Sequence, residues 1–323
     1  MEDQDVRVEG LRQRYGAFEA VRGVSFRVRQ GELFALLGTN GAGKTTTLEA
    51  LEGYRPAAGG TVRVLGRDPY RERRRVRGQM GIMLQEGGFF ADLTVAETVD
   101  FWRSVTPRPR DRGEVLGQVG LGERGKVRVR QLSGGQRRAL ELALAVLGRP
   151  RVLFLDEPTA GMDPQLRHST WELIRRIRAG GVTVVLITHY LEEAERLADH
   201  LAIMHRGRIE AAGTIEEVLA GRGDSITFVL PPGLAVERLP VLRGTACTLS
   251  ASGERTRVLY ALPGQSLQEA MYELLRWADE RRVVLDLLQA RHASLEDVFF
   301  DIAGDRLSDV AGDRLSDAAG DRL

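Results

Sequence analysis

Apolar residues recur along the first two thirds of the chain in short alternating or continuous runs, set apart by glycine-rich turns and helical stretches. Within residues 6–31, Val21, Val24, Phe26 and Val28 give a partly alternating pattern beyond a loop at Tyr15-Gly16, which predicts two antiparallel edge strands. Residues 32–37 are apolar enough for a buried strand, and 46–51 can open a helix. An alternating strand is predicted at 61–65, with a turn at Gly66-Arg67-Asp68-Pro69, and a short buried strand at 81–84 ends on Gln85. From 93 to 130 the pattern is helical, opened by a Thr94/Glu97 capping box and broken at Thr106-Pro107-Arg108-Pro109. A strong helix former at 137–147, an apolar strand ending in Asp156-Glu157, a helix at 166–178 and a strand at 182–188 ending in His189 complete a mixed α/β pattern.

Beyond about residue 224 the character changes. Strands are predicted at 226–230, 246–250, 258–262 and 283–288, and an amphipathic helix at 266–282, which together fit a small α+β domain. Leu267, Met271, Leu274, Leu275 and Ala278 are read as the core-facing stripe of that helix. Ser294-Leu295-Glu296-Asp297 caps a last helix through Phe299 and Phe300. The end is a repeat: Ala303-Gly304-Asp305-Arg306-Leu307-Ser308-Asp309-Val310 recurs from Ala311 and, truncated, from Ala319. An eight-residue period drifts by about 80° per repeat around a helix, so it builds no continuous apolar stripe. The expected organisation is a first domain at 1–222 with a helical subdomain at about 87–147, a second at 223–302, and a disordered tail at 303–323.

With 43% hydrophobic residues in 323, the chain can bury one large core and one smaller one. Lys plus Arg total 46 against 45 acidic residues, and a net charge of +1 exerts no overall pull toward nucleic acid or an anionic membrane surface. The basic run Arg71-Glu72-Arg73-Arg74-Arg75-Val76-Arg77 is short and lacks aromatics, so it reads as a solvated helix face. Cys247 is the only cysteine, which excludes an internal disulfide and a thiolate metal site within one chain. The acidic start Met1-Glu2-Asp3-Gln4-Asp5 is unlike a secretory signal, and no run of about eighteen uncharged apolar residues occurs. A cytosolic chain that does not itself span a membrane is expected.

The most informative stretch is Gly38-Thr39-Asn40-Gly41-Ala42-Gly43-Lys44-Thr45, which matches GxxxxGK[ST] between a predicted strand and a predicted helix. Glycines let successive N–H groups curl around a phosphate, and the helix start adds positive potential. Lys44 would reach the β- and γ-phosphates and Thr45 would offer its hydroxyl to Mg²⁺. Lys44 is one of only two lysines, the other being Lys126, and a compact ammonium suits this loop better than a planar guanidinium. Ser133, Gly134, Gly135 and Gln136 at a second helix start make another anion-binding surface. Asp156 and Glu157 arrive together at a strand end, as a P-loop ATPase needs: one for the Mg²⁺ shell, one beside the attacking water. Gln85 and His189 stand at predicted strand ends, where open α/β sheets bind ligands. Tyr15 offers an aromatic face for a purine base.

Over roughly residues 5–220 this order of motifs resembles the ATP-binding cassette family, the ATPase subunits of membrane transporters. The resemblance implies a P-loop core of mixed sheet with an antiparallel β subdomain, a helical subdomain and ATP with Mg²⁺ as cofactors. It implies Tyr15 as the adenine-stacking aromatic, and Gly38 to Thr45, with Thr46 after it, as the phosphate loop. It implies Gln85 as the coupling glutamine near Mg²⁺, Ser133 to Gln136 as the LSGGQ signature and Asp156 as the Mg²⁺ aspartate. Glu157 is implied as catalytic base, Asp163 as the dimer-contact loop and His189 as the γ-phosphate switch. The wording around Asp156-Glu157-Pro158-Thr159-Ala160-Gly161-Met162-Asp163-Pro164 and Thr188-His189-Tyr190-Leu191-Glu192-Glu193-Ala194-Glu195 looks like the branch, daunorubicin-resistance-like, that exports drugs, antibiotics, lipids or polysaccharides. That branch often carries a C-terminal extension ending in a similar Ser-Leu-Glu-Asp-Val-Phe segment. The implied partners are a separately encoded membrane permease at the cytoplasmic face and a second copy or a paralogous ATPase subunit, with no nucleic acid. A soluble cassette ATPase acting on ribosomes or DNA is the alternative class, although the chain has one cassette and no long coiled-coil insertion. A P-loop kinase or GTPase is disfavoured by the signature pentapeptide.

Overall fold

In the computed structural model, residues 4–83, 88–220, 223–231, 233–242, 245, 247–252, 255–262 and 266–304 are described. The chain opens with a hairpin of β1 (Gln4–Tyr15) and β2 (Phe18–Arg29), whose alternation buries Val6, Val8, Leu11, Val21, Val24, Phe26 and Val28. Then come β3 (Leu33–Gly38), α1 (Lys44–Leu51), β4 (Gly59–Val64), the short α2 (Arg73–Val76) and β5 (Met80–Met83). Three helices follow, α3 (Val95–Val105), α4 (Arg112–Gln118) and α5 (Gly134–Val146). The core resumes with β6 (Val152–Asp156), α6 (Pro164–Ala179), β7 (Thr183–Ile187), α7 (Leu191–Leu197), β8 (His200–His205), β9 (Arg208–Gly213) and α8 (Ile215–Leu219).

Two sheets organise these elements. The antiparallel one has the order β2-β1-β4, and the larger one has the order β5-β6-β7-β3-β8-β9, parallel except for β9. Strands β3, β6 and β7 are buried at every position, as expected for a sheet covered on both faces. Phe34, Leu36, Val152 and Phe154 pack toward α1 and the antiparallel sheet, and Phe26 stacks on Phe34 with centroids 4.8 Å apart. Leu33, Leu153, Leu155, Val184 and Leu186 face the other way, toward helices including α5 and α6. Because β3, β6 and β7 run parallel, Gly38, Asp156 and Ile187 emerge at one edge of the sheet.

The helical stretch expected at 93–130 is interrupted. Thr94 and Glu97 do form the capping box of α3, with Glu97 N donating to Thr94 Oγ1 at 3.2 Å and Thr94 N to Glu97 Oε2 at 2.8 Å. After α4, however, only single 3-10 turns occur, at Gly122–Arg124 and Val129–Gln131. Gly120, Gly122 and Gly125 lie in this stretch, and helix is costly at each of them.

The chain divides into two compact units, the first comprising Met1–Ile215 and Asp301–Leu323 and the second Glu216–Phe300. In the second, β10 (Asp224–Val229), β11 (Thr248–Ser252), β12 (Arg255–Leu262) and β13 (Asp286–Arg291) form an antiparallel sheet of order β11-β12-β10-β13. Helix α9 (Leu267–Arg281) packs on it, and α10 (Leu295–Gly304) starts behind a reciprocal Ser294–Asp297 cap. The buried stripe of α9 is Ala270, Leu274, Trp277 and Ala278, with Leu267 and Met271 partly buried, whereas Leu275 is 48% exposed. Leu275 lies about 100° around the helix from Leu274, and Trp277 takes the place assigned to it. The last strand begins at Asp286, three residues later than its apolar residues indicate, because Val283 and Leu285 pack at the core margin without pairing. The octapeptide repeats beyond Gly304 lie outside the described residues. Among the described residues no helix is long and apolar enough to cross a membrane.

Candidate active site

The loop between β3 and α1 supplies the floor of the site. Gly43 is the N-cap of α1 with φ 101°, and no side chain caps the helix. A Cβ at Gly43 would stand 2.5 Å from the carbonyl oxygen of Ala20, so only glycine permits this approach. The first N–H groups of a helix have no partner within it, and here they are left for an anion. Lys44 Nζ donates to the carbonyls of Gly38 at 2.8 Å and Thr39 at 3.1 Å, curling back onto its own loop. Burial lowers the Lys44 pKa, while the nearby charges of Glu157 and Asp156 act in the opposite direction.

Two acids approach this loop from β6. Asp156 is only 3% exposed, and burial first, then the charge of Glu157, raise its pKa to about 6. Glu157 adopts φ 50°, an unusual backbone state for a non-glycine residue, and its N–H donates to the Ile187 carbonyl at 2.8 Å. Its Oε1 hydrogen-bonds His189 Nδ1 at 2.8 Å. A cavity of about 360 Å³ joins these groups: Asn40, Gly41, Ala42, Gly43, Lys44, Thr45, Thr46, Asp156 and Glu157 line it together with Tyr15. A buried carboxylate whose ionisation is opposed and an exposed Thr45 hydroxyl are oxygen donors of the kind that Mg²⁺ takes. Among the described residues no three His, Cys, Asp or Glu side chains gather as a cage.

At the other end of the cavity stands Tyr15. Its hydroxyl donates to Glu49 Oε2 at 3.2 Å and lies 3.4 Å from Thr46 Oγ1. The Arg55 guanidinium sits 4.8 Å from the ring centroid and donates to the same Glu49 oxygen at 2.7 Å. Phe18, Ala20 and Ile187 also line the cavity and were not singled out from the sequence. Phe18 is 61% exposed, and an aromatic just across the β1–β2 turn from Tyr15 was the available signal.

Comparison with known proteins adds family membership to this geometry. Residues 21–160 match the model of the ABC transporter family, and 225–294 match the C-terminal domain of ABC transporter domain-containing protein-like chains. The daunorubicin resistance ATP-binding protein DrrA3 of Streptomyces coeruleorubidus is 36% identical over 315 residues, covering 94% of this chain and 98% of that protein. This chain is an ABC transporter ATPase. The Nod factor export ATP-binding protein I of Ralstonia nicotianae is 39% identical over 305 residues, covering 92% and 93% of the two chains. The linearmycin resistance ATP-binding protein LnrL of Bacillus subtilis is 31% identical over 308 residues, covering 94% and 99%. A solved structure of an ATP-binding subunit of an ABC transporter superposes with a TM-score of 0.61 at 28% identity, covering 66% of this chain and 91% of that one.

In this ABC ATPase Ser133 to Gln136, expected as the signature, stand apart from the cavity of their own chain. Ser133 is the N-cap of α5, Gly134 is exposed beside it, and neither Gly135 nor Gln136 lines the cavity. A Cβ on Gly135 would lie 3.1 Å from the Cα of Met162, so the start of α5 packs against the loop that carries Asp163. Asp163 caps α6, accepting from Leu166 N at 2.9 Å, and is exposed. Gln85 lies outside the described residues.

Proposed function

We propose that this ATPase closes on a second copy or a paralogous subunit around two ATP·Mg²⁺ and thereby drives a separately encoded permease in the membrane, at whose cytoplasmic face it sits. The observation that carries the reading is the meeting of Lys44, Thr45, Asp156 and the His189-bound Glu157 carboxylate around one cavity. ATP would lay its triphosphate along Gly38 to Thr46, with Lys44 turning from its own carbonyls to the β- and γ-phosphates. Tyr15, held by Glu49 and Arg55, would carry the base. The Thr45 hydroxyl and Asp156, joined by Gln85, would hold Mg²⁺. When bound, the ion neutralises charge on the phosphate oxygens.

Glu157 then accepts a proton from the attacking water as that oxygen bonds to the γ-phosphorus and the bond to the β–γ bridging oxygen breaks, releasing ADP. His189 holds the carboxylate in place and would serve as the γ-phosphate switch. Because Ser133 to Gln136 do not line the cavity of their own chain, the signature of the opposite subunit, with its Asp163 loop, is the natural cover for the γ-phosphate. The relatives named for daunorubicin resistance, linearmycin resistance and Nod factor export support export of a drug, antibiotic, lipid or polysaccharide. Exposed Phe90, Phe101 and Trp102, in edge contacts with centroids 6.0 Å apart, support docking of a permease segment on the helical subdomain. A charge balance of +1 speaks against a nucleic-acid partner.

Glu157→Gln tests this. It keeps the shape and removes the base, so hydrolysis should slow by roughly 10²–10⁴. Sedimentation should find dimers with ATP and monomers with ADP, and adding Ser133→Arg should abolish the dimer while sparing ATP binding. A Glu157→Gln protein that turns over ATP at the wild-type rate would remove Glu157 from the reaction.

A further inference from the structure

Glu193 lies on α7, four residues beyond His189, and at 0% exposure it is an acid wholly inside the protein. Its Oε1 accepts from Thr159 Oγ1 and from Trp171 Nε1, each at 3.0 Å. Burial pushes its pKa up, opposed by the Thr188 hydroxyl, the Trp171 indole, the Thr159 hydroxyl and the Arg167 charge. An acid kept there only to fill space is a poor choice, since apolar residues of similar volume serve stability as well or better.

Its partners belong to segments that matter elsewhere. Thr159 stands two residues after Glu157, in the loop leading to Asp163, and Thr188 directly precedes His189. Trp171 is on α6, whose N-cap is Asp163. A second link runs beside the first: the Arg167 guanidinium lies 5.1 Å from the Tyr190 ring centroid, and Tyr190 rests on His189 with centroids 4.2 Å apart. Glu157 itself has the strained φ of 50°, a state that persists only where the surroundings enforce it.

We propose that Glu193 is a positioning residue for ATP hydrolysis: its buried carboxylate ties the segment after Glu157 to the segment bearing His189, and so keeps that pair at hydrogen-bond distance. The inference rests on the role given above to Glu157. Removing the tie leaves the phosphate loop and Tyr15 untouched, so nucleotide binding persists while the base loses its orientation.

Steady-state hydrolysis by the full chain with ATP and Mg²⁺ tests it. Glu193→Ala should lower kcat about tenfold or more with KM for ATP held within about twofold. Glu193→Gln keeps an oxygen acceptor for both donors and should recover kcat to within about threefold of wild type. Thr159→Val deletes one donor at nearly constant volume and Trp171→Phe deletes the other with a smaller ring, and each should lower kcat with KM unchanged; Thr159→Val decides the matter if Glu193→Ala does not fold. The proposal is overturned if the folded variants keep wild-type kcat, if KM rises as kcat stays, or if Glu193→Gln is as slow as Glu193→Ala. Glu157→Gln is assayed alongside. Wild-type turnover in that variant would defeat the reading of Glu157 itself, whatever Glu193 does.

Discussion

Helices α1 and α5 both begin in glycine-rich loops, and both starts read as anion sites from the sequence, yet they are built differently. At α1 the N-cap is Gly43, with no side chain to close the helix, and the nearby Lys44 ammonium is occupied only by carbonyls of its own loop. At α5 the cap is closed: Ser133 Oγ accepts from Gln136 N at 3.2 Å, and Gln136 Oε1 accepts from Ser133 N at 3.1 Å. The Ser133 hydroxyl oxygen thus already serves the helix as an acceptor, while its O–H remains a donor for an anion. An open start needs a ligand to complete it. A closed start is stable by itself and can wait on a surface for a phosphate brought by another subunit.

The largest test of the open start is Lys44→Ala, which removes the one ammonium lining the cavity among the described residues. ATP affinity should fall by roughly two orders of magnitude, the scale of losing charge-assisted bonds to phosphate. Calorimetric titration giving affinity near wild type would mean that the N–H groups alone suffice.

Next in size is Glu52, the C-cap at the far end of α1, which is 4% exposed with Oε1 unpartnered. Burial, then the charges of Asp156 and Glu49, raise its pKa to about 8, with Arg77 opposing. The folded protein thus keeps a proton that the unfolded chain releases near its ordinary value of 4.5. Stability conferred by the neutral form is lost as pH rises through that window, and the cost is complete above about 8. Glu52→Gln should stabilise by on the order of a few kcal/mol in alkaline buffer and by little at acidic pH. Melting curves across pH that show the same offset throughout would locate the penalty elsewhere.

The smallest expected effect sharpens the closed start. Ser133→Ala opens the capping box and should cost about 0.5–2 kcal/mol of stability, read by denaturant unfolding. ATP binding to the single chain should not change. If it weakens, α5 contributes to the cavity of its own chain after all.

Much of the first unit was legible. The family and the fold follow from motif order, and the strand ends that carry Gly38 and Asp156 were named from apolar runs alone, because a buried parallel strand has no polar position to hide it. The second unit was less so. Its helix was found, but its stripe was assigned to Leu275 in place of Trp277, since an amphipathic pattern leaves two neighbouring faces nearly equivalent until a sheet covers one. At the site, Phe18 was passed over because one exposed aromatic carries no period.

What the sequence determined by itself is what spacing determines: a loop that curls around phosphate, a helix that caps itself, acids at the end of an apolar strand. Each depends on residues within about ten positions of one another, so local sterics and hydrogen bonding decide them. Only the tertiary structure decided that Glu157 meets His189 across 32 positions, that Tyr15 is braced by Glu49 and Arg55, and that Glu193 joins Thr159 to Trp171. Those contacts arise from which parallel strand ends lie side by side and which side chains are shut from water. No local pattern encodes that neighbourhood, because it exists only when the sheet has closed around it.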